Sequence, residues 1–130
     1  MDKLYSQMEG IQPANQKEEI SMHCFLAEYA PIETTISILA SNGDVNASRK
    51  VSISKESFIN DLTKKMIELS HEQGLYHHDI FAIGVVVDAK EMLGRGSEQL
   101  QKELASSFGF TSVVDSDENI VRKKLLQNAK

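Results

Sequence analysis

Apolar residues in this chain follow two rhythms. Toward the start they alternate with polar neighbours or run unbroken over short stretches, the spacing of strands; from Phe58 onward they also recur at helical intervals. Ile20 to Tyr29 places Ile20, Met22, Cys24 and Leu26 on one side and His23, Phe25, Ala27 and Tyr29 on the other. Both sides are mostly apolar, which predicts a strand. Pro31 has no amide hydrogen for a ladder and ends the run in a turn. Thr34 to Ala40 predicts a second strand, with Ile36, Ile38 and Ala40 in phase. Ser41-Asn-Gly-Asp44 predicts a hairpin after it, because Asn-Gly accepts positive φ at both turn positions. A third strand is expected from Ala47 to Ser54, carrying Val51 and Ile53.

The densest apolar run is Ile80-Phe-Ala-Ile-Gly-Val-Val-Val87, closed by Asp88. It offers no polar residue for a solvent face, and its valines and isoleucines favour an extended chain. It therefore predicts a central strand covered on both faces. Periodicity alone leaves a buried helix segment as the competing reading. In an α/β protein the carboxyl end of such a strand, here Asp88, is where a site is built.

Helical spacing surrounds this run. Phe58, Leu62, Met66 and Leu69, with Ile59 and Ile67 beside them, draw one apolar stripe. Ser54 is its expected N-cap, Glu56 suits its positive end, and Gly74 fits the left-handed stop. Leu100, Leu104 and Phe108 draw a second stripe between Ser97 as cap and Gly109. Phe110 to Val114 reads as a short strand. Asp115 with Glu118 resembles a capping box for a last helix, with Ile120, Val121, Leu125 and Leu126 inward. Arg122, Lys123, Lys124 and Lys130 suit that helix's negative end. In Met1 to Lys17, Leu4, Tyr5, Met8 and Ile11 have the spacing of one short helix, a loosely held leader being the alternative.

Three strands joined by short turns, then helix, strand, helix, strand and helix, is the order of an RNase H-like or actin-like α/β lobe. The expected five-stranded mixed sheet runs 3-2-1-4-5, with the long apolar strand between the first and the last and helices on both faces. Residues 18–130 would form this one domain, preceded by the segment 1–17. Composition changes the picture by exclusion. A net charge of −5 and a pI near 5.3 give no basic footprint for direct nucleic-acid binding. Nothing in the chain has the length and hydropathy to span a membrane or the build of a signal peptide, so a cytoplasmic protein is expected. Cys24, the single cysteine, cannot form an internal disulfide and reads as a small buried hydrophobe. His77-His78-Asp79, with His71 nearby, is the only cluster of metal-ligand type. Adjacent histidines on a strand point to opposite faces, so a solvated turn is expected instead of a metal site. His23 and Cys24 have the same problem.

Three segments carry a family resemblance. Glu28 to Gly43 has the spacing of an Asp-x-Gly-Gly-Thr turn followed by an Asp-Gly hairpin. Ile83-Gly-Val-Val-Val87 sits where Ile-Gly-Ile-Gly-Val-Pro-Gly would stand. Phe108-Gly-Phe-Thr-Ser-Val-Val-Asp-Ser-Asp-Glu-Asn119 is similar to Phe-Gly-x-Pro-Val-x-Val-Glu-Asn-Asp-Ala-Asn. These are motifs of the ROK proteins, a group of sugar kinases and sugar-responsive repressors. From Leu26 to Asn119 the chain resembles their first lobe in degenerate form. The resemblance puts Glu28 where the family's Asp organises the metal–nucleotide site, and Ala30 and Pro31 at the glycines whose amides approach ATP phosphates. Pro31 removes a donor and fixes φ there. Asp88 and Ala89 replace the Pro-Gly after the central strand, and Ser116 replaces an Asn. The loop from Lys90 to Ser97 is shorter than the family's, which contributes a sugar-contacting Asn. The second lobe, with the rest of the nucleotide site and the repressors' zinc cluster, is not matched.

Asp117 alone lines up with the family carboxylate that acts as base toward the sugar hydroxyl; by its own context it is the second residue of a helix N-terminus. Phosphoryl transfer needs several preorganised groups around phosphates, metal and hydroxyl, and one aligned carboxylate does not supply them. The expectation is no catalytic residue, no metal and no cofactor, with Glu28, Asp88, Ser116 and Asp117 as the remains of a site for a small sugar. The expected function is a non-catalytic regulatory or protein-binding module. A sugar kinase lobe completed by a second chain, and an unrelated immunity- or antitoxin-like interaction protein, are the alternatives. A dimer is expected through the surface near Tyr29, Ile32, Asp88 and Met92, which a second lobe would otherwise cover.

Overall fold

The alternating segments build β1 (His23–Glu28) and β2 (Thr34–Ala40), and β3 (Val45–Val51) returns beside them. There follow α1 (Phe58–Glu72), a 3₁₀ turn over His77–Asp79, β4 (Ile80–Val86), α2 (Ser97–Phe108), β5 (Thr111–Asp115) and α3 (Glu118–Gln127). This computed structural model describes residues 22–88 and 96–127. The expectations for segment 1–17, and those resting on Ile20, Ala89, residues 90–95 of the loop that includes Met92, and Lys130, lie outside the described residues.

The sheet order is β3-β2-β1-β4-β5, as the element order predicts. β1–β2 and β2–β3 pair antiparallel, whereas β1–β4 and β4–β5 pair parallel. The long apolar run is an interior strand between β1 and β5, not a helix. Both of its faces are buried. On one, Phe25, Ala27, Ile36, Ile38, Ile83 and Val85 meet Phe58, Leu62 and Met66 of α1 and Leu100 and Leu104 of α2. On the other, Cys24, Leu26, Leu39, Ala82 and Val113 meet Val121 and Leu125 of α3. Each large side chain so buried contributes about 1.5–3 kcal/mol before entropy, so the first and larger cluster dominates stability.

At Gly84 α3 lies close against the sheet. A Cβ there would lie 2.5 Å from Val121 Cγ1 and 2.7 Å from Leu125 Cδ1. The missing side chain is what lets the helix settle on β4.

The departures from expectation lie in turns, caps and strand ends, β3 closing at Val51 and not at Ser54, and in Ile120 of α3, which is exposed and not inward. The β2–β3 hairpin closes around three residues, Ser41 to Gly43, not around Asn-Gly alone. The Ala40 amide donates to the Asp44 carbonyl at 2.8 Å and the Gly43 amide to the Ala40 carbonyl at 2.9 Å. Gly43, with φ 96°, takes the left-handed position that such a loop requires. Asn42 works through its side chain, accepting the Asp44 amide at 3.0 Å. β3 accordingly starts at Val45, with a bulge where the pairing passes from Ile38 to Leu39. Ser54 bonds Glu56 at 3.2 Å instead of the first amides of α1, which opens after Ser57. Ser97 is the first helical residue of α2, and Gly96 takes the cap position. Instead of sharing a capping box with Glu118, Asp115 accepts the Asp117 amide at 3.0 Å. Both longer helices stop where expected, at the left-handed Gly74 and Gly109.

Candidate functional site

The carboxyl ends of β1 and β5 flank that of β4, so the loops after these strands meet at one end of the sheet. Pairing continues past the strands there. The Tyr29 amide donates to the Val86 carbonyl at 3.0 Å, and the Val87 amide to the Asp115 carbonyl at 3.0 Å. This brings Asp88 and Ser116 together, with Asp115 and Ser97, around a shallow depression of about 240 Å³.

Glu28 and Asp117 do not line that depression. Glu28 lies on the face of β1 that carries Cys24 and Leu26, and its carboxyl shares a hydrogen bond with Glu118 at the start of α3. One turn further, Arg122 Nε donates to Glu118 Oε2 at 2.6 Å. Desolvation first, and the neighbouring Glu118 second, push Glu28 up from the ordinary 4.5. The hydrogen bonds from Glu28 and Arg122 hold Glu118 below the same value. The pair therefore keeps one proton, on Glu28, above the pH at which isolated glutamates lose theirs. While that proton is held, the pair is a carboxylic acid donating to a carboxylate clamped by a guanidinium, a polar link between β1 and α3. Asp117 is the N-cap of α3, accepting the Asn119 amide at 2.8 Å, two positions earlier than the second helical place expected for it.

The turn after β1 is folded in on itself. The Ala30 amide lies 3.5 Å from the hydroxyl of the buried Thr34, which in turn donates toward the Ala30 carbonyl at 3.4 Å. Beyond it Ile32 is 90% exposed. Tyr29, by contrast, packs edge-on against Phe58 with ring centres 5.6 Å apart. Cys24 is fully enclosed, and burial pushes its thiol up to about 12 against the opposing pull of Arg122. The histidine cluster is a 3₁₀ turn in which His77 Nε2 bonds the Phe108 carbonyl at 3.0 Å and His78 lies 3.6 Å from Asp79. Among the described residues, no group of three or more His, Cys, Asp and Glu is arranged to hold a metal ion. No helix among them is long and apolar enough to cross a membrane.

Sequence reasoning missed Glu118 and Arg122 as the partners of Glu28. The available signal was a Glu–Arg pair spaced four apart on the last helix. What it lacked was the face of the sheet that this helix covers.

No family model and no curated protein matches the chain. Among solved structures it is similar to the crystal structure of a ROK family transcriptional regulator, a homologue of the E. coli MLC protein. The match has a TM-score of 0.55 at 14% identity and covers 72% of this chain. The chain spans only 28% of the regulator's length. What the two share at this identity is the fold, a ROK-like α/β lobe.

Proposed function

We propose that this chain is a non-catalytic ROK-like lobe that acts as a regulatory module by binding protein, a second copy of itself included. The observation that carries this reading is the turn after β1. A phosphate-binding turn needs backbone amides pointing out at the ligand. Here the Ala30 amide points at Thr34, and Pro31 has none to offer. The carboxyl of Glu28 is engaged by Glu118. These features favour a lobe that keeps the scaffold without the transfer chemistry. In this reading the Asp88–Ser116 depression is the place for a small sugar, and the exposed Ile32 loop is the protein-binding edge.

Two measurements test it. ADP production from ATP in the presence of hexoses should stay at the level of buffer. Sugar-dependent ADP formation that disappears on Asp117→Asn would restore the kinase reading. Sedimentation should show a concentration-dependent dimer that Ile32→Asp breaks and an equivalent change on the exposed side of α1, Lys64→Asp, does not. A chain that stays monomeric at high concentration rules out self-pairing.

A further inference from the structure

At the opposite end of the sheet, α1 and α2 leave a pocket of about 190 Å³. Phe25 and Ile80, near the amino ends of β1 and β4, line it together with Phe108 and Phe110. Phe108 and Phe110 both meet Phe25 edge-on, with ring centres 5.7 and 6.0 Å away, and His77 lies 5.5 Å from Phe110. His71, tilted on Tyr76 at 5.0 Å, adds to the lining. Cross-links hold these parts in place. His77 Nε2 bonds the Phe108 carbonyl at 3.0 Å, and the Thr63 and Ser107 hydroxyls join α1 to α2 at 2.8 Å.

Two features of the lining point to a ligand. Ile67 and Tyr76 are 40% and 52% exposed, large apolar side chains left in water at the pocket. Ser70, buried in the lining, donates its proton to the Ile67 carbonyl at 2.9 Å, which leaves its oxygen as an acceptor. No carboxylate, lysine or arginine lines the space, and of its two histidines His77 bonds the Phe108 carbonyl and His71 packs on Tyr76, so no permanently charged group there balances a charged guest. A dry apolar cavity of about 150 Å³ admits benzene, and aromatic walls favour ring faces and edges.

We propose that this pocket binds a small, neutral, planar aromatic molecule with one hydrogen-bond donor, of the indole or phenol class, its donor directed at Ser70 Oγ. The site stands apart from the strand ends on which the proposed function rests.

The full chain has no tryptophan, so the emission of added indole reports its own surroundings. Titrating the protein into indole should give a saturable blue shift that phenol reverses by competition. Benzofuran, which keeps the shape but lacks the N–H, should compete less well than phenol. Ser70→Leu, which fills the wall, should abolish the shift, and Ile67→Glu should weaken it. Val45→Glu, on the far edge strand, should leave it unchanged. If Ser70→Leu does not fold, Ile67→Glu and Tyr76→Ala, both at exposed positions, carry the comparison. A shift that is absent, that does not saturate, or that survives these pocket changes overturns the proposal.

Discussion

Replacing Gly84 with alanine separates tight contact from generic apolar burial as the means by which α3 is held. The added Cβ would stand 2.5 Å from Val121 Cγ1 and 2.7 and 3.0 Å from Leu125 Cδ1 and Cγ. Carbon atoms in contact sit best at about 3.5–4.0 Å, so the helix must lift by roughly 1 Å or its side chains must turn away. Leu125 can swing, but Val121 is branched at Cβ and keeps essentially one rotamer in a helix. Overpacking of this kind costs about 1–3 kcal/mol. Alanine regains about 0.4–1 kcal/mol by restricting the unfolded chain. A net loss of about 1–2 kcal/mol is therefore expected, read as a lower urea midpoint at unchanged slope. The decisive arm repeats Gly84→Ala in the Val121→Ala background. There the closest contact is gone and the loss should shrink by at least about 1 kcal/mol. A variant as stable as the parent, or one that loses the same amount in both backgrounds, would refute the reasoning.

Asp117→Ala should cost about 1 kcal/mol through the lost cap on α3, while Asp117→Ser should retain most of it, both measured by urea unfolding. Equal losses in the two variants would deny Asp117 its capping role. Glu28→Gln tests the carboxyl pair by its pH dependence. Glu28 holds its proton to higher pH in the folded chain than in the unfolded one, so its contribution is present below 4.5 and is lost as pH rises through the folded value. Glu118 works in the opposite sense, its contribution present above 4.5 and lost as pH falls through its own lowered value. Glutamine keeps a donor for Glu118 and has no proton to lose. The urea midpoint of Glu28→Gln should therefore pull ahead of the parent as pH rises above 4.5. Midpoints that converge over that range would contradict the assignment.

What was legible in the sequence follows from how local each determinant is. Thr34–Ala40 is a strand at both of its expected ends because alternation is a property of neighbouring residues. The apolar run at Ile80 declared its interior place because it had no side to give to water. Caps were less legible. Ser54, Ser97 and Asp115 all have cap chemistry, yet which residue caps depends on where the backbone first turns helical, and this is settled by packing several residues away. Sheet order alone brings Asp88 and Ser116 to one depression at the strand ends. Glu28 found partners the sequence did not suggest, because its contact with Glu118 depends on the face that α3 covers, between segments 90 residues apart.

The two faces of the sheet are unequally defended. α1 and α2 bury one together, but the other rests on ten-residue α3, which contributes two fully buried side chains, Val121 and Leu125. Proteins open piecewise, and the piece with the least buried contact opens at the lowest free energy. Among the three α-helices that piece is α3, and directly beneath it lies the one thiol of the chain. Cys24 is inert while the helix is seated, both enclosed and held as the unreactive thiol. Its alkylation rate thus times the lifting of one helix, a breathing motion distinct from unfolding of the whole molecule.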